Sequence, residues 1–315
     1  MTVNRYLPEG SLYGTAENRE ALASQAMLER AAASGKILEG MAVLCDGEMA
    51  LTVDLGCMRG IIPRGEAVYQ PGGGEARDIA VITRVGKPVC FRVISIERNS
   101  AGESYAVLSR RAAQAECVRC YLSSLIEGDI IPATVTHLEH FGAFVDVGCG
   151  ISVSRISHPA DRFYTGMNLR TVVRSIERDA EGFVTRMYVS HKELLGTWAE
   201  NAARFSAGQT VSGTVRSIED YGIFVELTPN LAGLCEYRPG TSVGDTAAVY
   251  IKSIIPERMK VKLVLIDSMG ITVPDKRISY FIPDSVAHID SWVYSPPESG
   301  KLIETRFDTP AQMSV

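Results

Sequence analysis

The sequence predicts a mainly β protein: three small five-stranded barrels in tandem, joined by short helices. The first observation behind this is an internal repeat. Gly142 and Gly222 lie 80 residues apart, and at the same offset Gly128 matches Gly208, Val135 matches Val215, Phe144 matches Phe224 and Val145 matches Val225. The acid that follows recurs as Asp146 and Glu226. A match from "EGDIIPATVTHLEHFGAFVDV" to "AGQTVSGTVRSIEDYGIFVEL" is too long for chance. The second observation is the pattern inside each unit. β-branched and apolar residues nearly alternate with polar ones in short runs punctuated by Gly or Asp, such as "IIPATVTHL", "AFVDV" and "TVVRSIE". The third is a helical pattern between units, "RRAAQAECVRCYLSSLIEG" and "HKELLGTWAENAARFSAG", each read as about four turns and each stopping at glycine.

Taken along the chain, residues 1–35 form an N-terminal helical segment, with one helix over 16–34 and Thr15 as its cap. Residues 36–112 are a first, divergent barrel. "EGMAVLCDGEMALTVDLGCMRGIIPRGE" keeps the opening glycine and the "VDLG" ending, and "PVCFRVISIERNSAGESYAVLSRR" parallels "NLRTVVRSIERDAEGFVTRMYVSHK". This copy carries the glycine-rich insertion "YQPGGGEARDIAVITRVGK", read as a long loop. A helical linker at 113–126 leads to the second barrel, 127–192. A second helical linker at 193–206 leads to the third, 207–268. Five short strands per unit of about this length suggest a Greek-key barrel of the OB type. The proline-rich tail, 269–315, contains a hairpin from "HIDSWVYS" and "GKLIETRF".

Composition narrows the function classes. With 315 residues and 46% hydrophobic content the chain buries real cores and is no disordered polymer. No apolar run is long enough to cross a bilayer, and "MTVNRYLPEGSLYG" does not read as a secretory signal. Seven cysteines, several in apolar runs, suggest reduced thiols and a cytoplasmic location. A net charge of −5 does not announce nucleic acid, but binding that rests on stacking and a few local cations is compatible with it.

The repeat's most specific feature is its aromatic–Gly–x–Phe device: Phe141 and Phe144 around Gly142, and Tyr221 and Phe224 around Gly222. In a regular strand, residues three apart face opposite sides. A glycine between them permits a turn or bulge that brings both rings to one surface, a platform for unpaired bases. The competing reading is that these are core aromatics. Volume alone would satisfy a core, without the same spacing in both copies.

These residues resemble the RNA-binding domain repeated in the ribosomal protein S-one family. The resemblance covers about residues 36–266 and rests on "EGDIIPATVTHLEHFGAFVDVG", on the paired "LSRR" and "VSHK" exits and on the helical joints. It implies single-stranded RNA, mRNA in particular, lying across Phe141 and Phe144 and across Tyr221 and Phe224. The family's histidine falls on Arg155 and Glu236, and its basic position on Arg186 and Lys260. Arginine can replace histidine against phosphate and glutamate cannot, which ranks the second barrel above the third. The first barrel's equivalent stretch, "CDGEMALTVDLG", has no aromatic, and Pro63 stands at the histidine position. The resemblance gives the N-terminal helix and this barrel a docking role on the small ribosomal subunit.

Other signals carry less. Cys117 and Cys120 form "CVRC" without a second ligand pair, so helix packing is preferred to zinc. His137 and His140 read as surface residues near a strand end. "QPGGGEAR" lacks the lysine and hydroxyl of a phosphate loop. No catalytic constellation, cofactor site or metal site is recognisable, so the expected function is RNA binding in translation and not catalysis. Two alternatives stay open: a free cytoplasmic RNA-binding regulator, and an adaptor delivering RNA to a nuclease complex.

Overall fold

In the computed structural model the described residues are 6–70, 74, 76–151, 154–156, 163–270 and 278–307. Parts of the predicted insertion loop and of the proline-rich tail lie outside them. The chain divides into two compact units, Met1–Leu125 with Pro132–Leu169 and Ser175–Tyr188, and Ile126–Ile131 with Arg170–Arg174 and Val189–Val315.

The first unit opens with α1 (Ala16–Leu22) and α2 (Gln25–Ser34), where one helix was expected. Thr15 caps α1, accepting from the Asn18 N–H. Ser24 is extended and caps α2 through the Met27 N–H, so the chain stops and restarts. The first barrel is built from β1 (Leu38–Cys45), β2 (Leu51–Asp54), β3 (Arg59–Ile62), β4 (Pro88–Arg98) and β5 (Ser104–Ser109). Its core gathers Leu38, Leu51, Val53, Ile62, Phe91 and Leu108, with Leu28 and Ala31 of α2 packed on it. The insertion is not all loop: Asp78–Ile82 forms a short helix, α3, with Val81 buried in the core. Ser109 then caps α4 (Arg110–Cys120), accepting from the Ala112 N–H.

The second barrel comprises β6 (Ile130–Glu139), β7 (Gly142–Asp146), β8 (Ser154–Ile156), β9 (Asn168–Arg178) and β10 (Val184–Ser190). The linker to the third is shorter than its sequence suggests. It consists of one 3-10 turn, Lys192–Leu194, and the five-residue α5 (Trp198–Ala202). Gly196, at φ +81, interrupts the run, and a capping box between Thr197 and Glu200 starts α5 afresh. The third barrel follows: β11 (Thr210–Glu219), β12 (Gly222–Thr228), β13 (Leu231–Cys235), β14 (Thr246–Ile255) and β15 (Lys260–Met269). In the tail, β16 (Ser291–Val293) pairs antiparallel with β17 (Glu304–Arg306).

All three barrels close with the same cyclic strand order, β1-β2-β3-β5-β4 in the first, β6-β7-β8-β10-β9 in the second and β11-β12-β13-β15-β14 in the third. In the first and third, the third strand meets the fifth in parallel and the other pairs run antiparallel. This is the five-stranded Greek-key barrel of the OB type. Alternation does the work: on β14, Ala247, Val249 and Ile251 are buried while Tyr250 and Lys252 point to solvent.

Candidate nucleic-acid interface

The device is a turn. Glu139 pairs with Gly142, and Glu219 with Gly222, leaving two-residue connections at His140–Phe141 and Asp220–Tyr221. Gly142 and Gly222 have φ of +151 and +145, conformations that favour glycine. A Cβ at Gly222 would also run into the Cys235 carbonyl oxygen on the neighbouring strand. The first ring of each pair therefore projects from a hairpin tip, while the second stands on the strand. Phe141 is 53% exposed and Tyr221 70%, so neither is a core residue. Phe144 and Phe224 are half-buried.

The rings of each pair meet edge to face. Their centroids are 6.5 Å apart at 80° for Phe141 and Phe144, and 6.1 Å apart at 87° for Tyr221 and Phe224. Each ring thus keeps its own face, and the pair offers two roughly perpendicular surfaces and no single flat one. A register shift between Val135 and His137 recurs between Val215 and Ser217. In the second barrel it sets His137 opposite Phe144, with ring centroids 6.4 Å apart, and His140 lies edge-on to Phe141 at 5.0 Å. Both histidines sit at the surface as expected, but directly beside the rings. The shift that brings His137 there is invisible in simple alternation.

The cations differ between the two faces. On the second barrel, exposed Arg186 pairs with Glu177 at 3.3 Å, and His137 Nε2 lies 3.0 Å from Glu139. Arg155 stands opposite Phe144 in the β7–β8 register, and its side chain lies outside the described part. On the third barrel, Tyr221 and Phe224 open onto a groove of about 910 Å³ that Lys260 also lines. Lys252, Lys262, Arg238 and Tyr237, none singled out from sequence, share it. The side chains of Lys252, Lys260 and Lys262 form no ion pair or hydrogen bond among the described residues. Arg238 donates to the Ile266 carbonyl at 2.6 Å. Sequence carried a signal for part of this: Lys260 and Lys262, two apart on β15, must share its outer face. Glu236, at the histidine position, is exposed in the same groove.

Among the described residues the first barrel has no such face. Pro63 precedes a 3-10 turn, Arg64–Glu66, and the β1–β2 connection is a longer loop held by the Asp46 carboxylate, which accepts from the Glu48 and Ala50 N–H groups. Val43, Leu44 and Ile94 are exposed there. Its notable charges are internal. Arg110 and Glu9, both buried, form a two-pronged pair at 2.7 and 2.9 Å, and Arg84 reaches the same carboxylate at 3.3 Å. Burial alone would raise the Glu9 pKa, but the Arg110 guanidinium reverses this and holds it at about 2. Cys117 is buried on α4 and Cys120 exposed, so the two do not act as a packing pair. Among the described residues no group of three or more His, Cys, Asp or Glu is placed to hold a metal ion, and no helix is long and apolar enough to cross a membrane.

No family model matches the sequence. Curated relatives do. Small ribosomal subunit protein bS1 of Staphylococcus saprophyticus is 30% identical over 203 residues, 60% of this chain and 49% of that protein. The bS1 homolog of Bacillus subtilis is 32% identical over 58% of this chain and 48% of its own length, and bS1 of Rhizobium meliloti 26% over 64% and 35%. The chain is thus similar to bacterial ribosomal bS1 proteins over about three fifths of its length. It spans about half the length of the first curated relatives it matches. Among solved structures, a multidomain protein with nucleic-acid-binding domains from Streptococcus pneumoniae is 13% identical over 76% of each chain, with a TM-score of 0.23. An uncharacterised protein from Methanocaldococcus jannaschii is 27% identical over 19% of this chain and 89% of its own, with a TM-score of 0.18. The two edge-to-face pairs built around a glycine, Phe141 with Phe144 and Tyr221 with Phe224, lie in the second and third barrels.

Proposed function

We propose that the chain binds single-stranded RNA on the ring-bearing faces of its second and third barrels, as a non-catalytic protein of translation. The observation that carries this is the third barrel's groove, where exposed Tyr221 and half-buried Phe224 meet three lysines with no acidic partner among the described residues. Rings give sequence-tolerant stacking worth about 1–3 kcal/mol per base, and the lysines attract the backbone. A duplex keeps its bases stacked on each other and cannot use the rings. In the second barrel, Phe141, Phe144, Arg155 and Arg186 form the corresponding site, with Arg186 paired to the Glu177 carboxylate. This charge inventory favours the third barrel as the stronger site, the reverse of the ranking drawn from Arg155 and Glu236 alone.

The N-terminal segment and first barrel, lacking the ring pair around a glycine, serve protein contacts, and the small ribosomal subunit is the partner implied by the bS1 relatives. Such a protein works in the cytoplasm. Fluorescence anisotropy with a labelled unstructured RNA and the matching duplex tests the binding claim. The expected result is clear preference for the single strand, and equal affinity would overturn it. Sedimentation of native extract through a sucrose gradient tests the partner. Co-migration with small subunits is expected, and a position only at the top of the gradient removes that part.

A further inference from the structure

Glu236 is placed where a phosphate-binding protein has least use for it. It lies in the groove beside Tyr221 and Phe224, immediately after β13 ends at Cys235. The register pairs Phe224 with Leu234 and Ile223 with Cys235, so the chain at Glu236 runs alongside Gly222, the hinge between the two rings. The crowding between Gly222 and the Cys235 carbonyl shows how close these backbones are. Although lysines line the same groove, Glu236 makes no hydrogen bond or ion pair among the described residues. Both of its oxygens are open acceptors, and a carboxylate has nothing to donate.

A base stacked on these rings presents its Watson–Crick edge at its rim, the edge by which single-stranded bases are read. The four bases meet a carboxylate differently. Guanine offers two adjacent donors, N1–H and the 2-amino group, which match its two oxygens. Cytosine and adenine each set one amino donor beside a ring-nitrogen acceptor, and uracil sets one N–H between two carbonyl oxygens. In those three cases an acceptor faces the carboxylate. We infer that Glu236 makes the third barrel selective for guanine at the base that stacks on Tyr221 and Phe224, by a two-pronged hydrogen bond to the guanine edge. This rests on the single-strand reading above.

The test uses the full chain and short oligouridine strands carrying at one central position guanine, inosine, which lacks the 2-amino group, or uracil. Anisotropy titrations compare wild type with Glu236→Gln. Removing the negative charge raises affinity for every strand, so the ratio of guanine to uracil affinity is the readout. A bidentate base contact predicts a ratio of about tenfold for wild type, with inosine between, and a ratio near one for Glu236→Gln. Because Glu236 is exposed, the variant folds as wild type does, which its circular dichroism checks. Equal affinity of wild type for all three strands sinks the guanine assignment and leaves single-strand binding standing. An unchanged ratio in Glu236→Gln sinks the role of this residue. Failure to bind any of the strands removes the underlying reading as well.

Discussion

The first and third barrels share a strand order and a register shift on the opening strand, between Ala42 and Leu44 in one and Val215 and Ser217 in the other. They differ in where they keep their charge. In the first, Glu9, Arg110 and Glu39 are buried and satisfied, with Glu39 accepting the N–H groups of Gly10, Leu12 and Tyr13 at 2.8–2.9 Å. In the third, the groove lysines are exposed and have no acidic partners among the described residues. Buried pairs position chain segments and are costly to break. Open charges stabilise nothing in the fold and remain available to a polyanion. One barrel design thus carries two uses, told apart by the turn between its first two strands and by the placement of ionic groups.

The harshest way to test this contrast is to break the buried pair. Glu9→Gln should cost about 3–5 kcal/mol of stability in the first unit, since it leaves the Arg110 charge buried without its partner. RNA affinity per folded molecule should not change, and denaturant melts run beside titrations give both numbers. The effect has a pH signature. The folded-state pKa of Glu9 is depressed from 4.5 to about 2, so its stabilisation is present above 4.5 and is lost as pH falls toward 2. The gap between wild type and Glu9→Gln should therefore close across that window; a gap independent of pH would mean the pair is not the cause.

The converse test removes the open face. Tyr221→Ala with Phe224→Ala should weaken RNA binding by about 2–4 kcal/mol, with some redundancy between stacked bases. Phe141→Ala with Phe144→Ala should cost less, because fewer unpaired cations assist. A larger loss at the second barrel would reverse the ranking of the two sites. A smaller change concerns salt. Lys260→Ala with Lys262→Ala should flatten the slope of log affinity against log salt by about 1.4, from roughly 0.7 per phosphate contact on single strands. The smallest expected effect is on folding: Phe141→Ala should leave the melting temperature nearly unchanged, as an exposed ring at a hairpin tip contributes little. A loss of about 3–5 kcal/mol would instead identify Phe141 as core.

The barrels were legible because repetition and alternation are properties of sequence. The repeat at 80 residues located two of them, and the "LSRR" and "VSHK" exits located the third. Helix lengths were harder to read. Nothing in apolar spacing announces that Ser24 will cap a new helix, or that Gly196 takes a positive φ and stops a run that Thr197 restarts. The rings of the candidate site stood out by their spacing around glycine, although that spacing did not say that they would meet at right angles. The groove cations did not stand out. Tyr237 and Arg238 follow β13 and Lys252 lies on β14, and only closure of the barrel gathers them with Lys260 and Lys262 on β15.

The crowding at Gly222 has a consequence for how such a face can vary. Any side chain there meets the Cys235 carbonyl and an unfavourable φ at once, so the position has no neutral replacements. Tyr221 beside it is 70% exposed and meets only the edge of Phe224 among the rings, so its replacement leaves the barrel core intact. A single substitution can therefore exchange the ring for another side chain and alter what the barrel grips, while the hinge that aims it has room only for glycine. The face is tunable because its pivot is not.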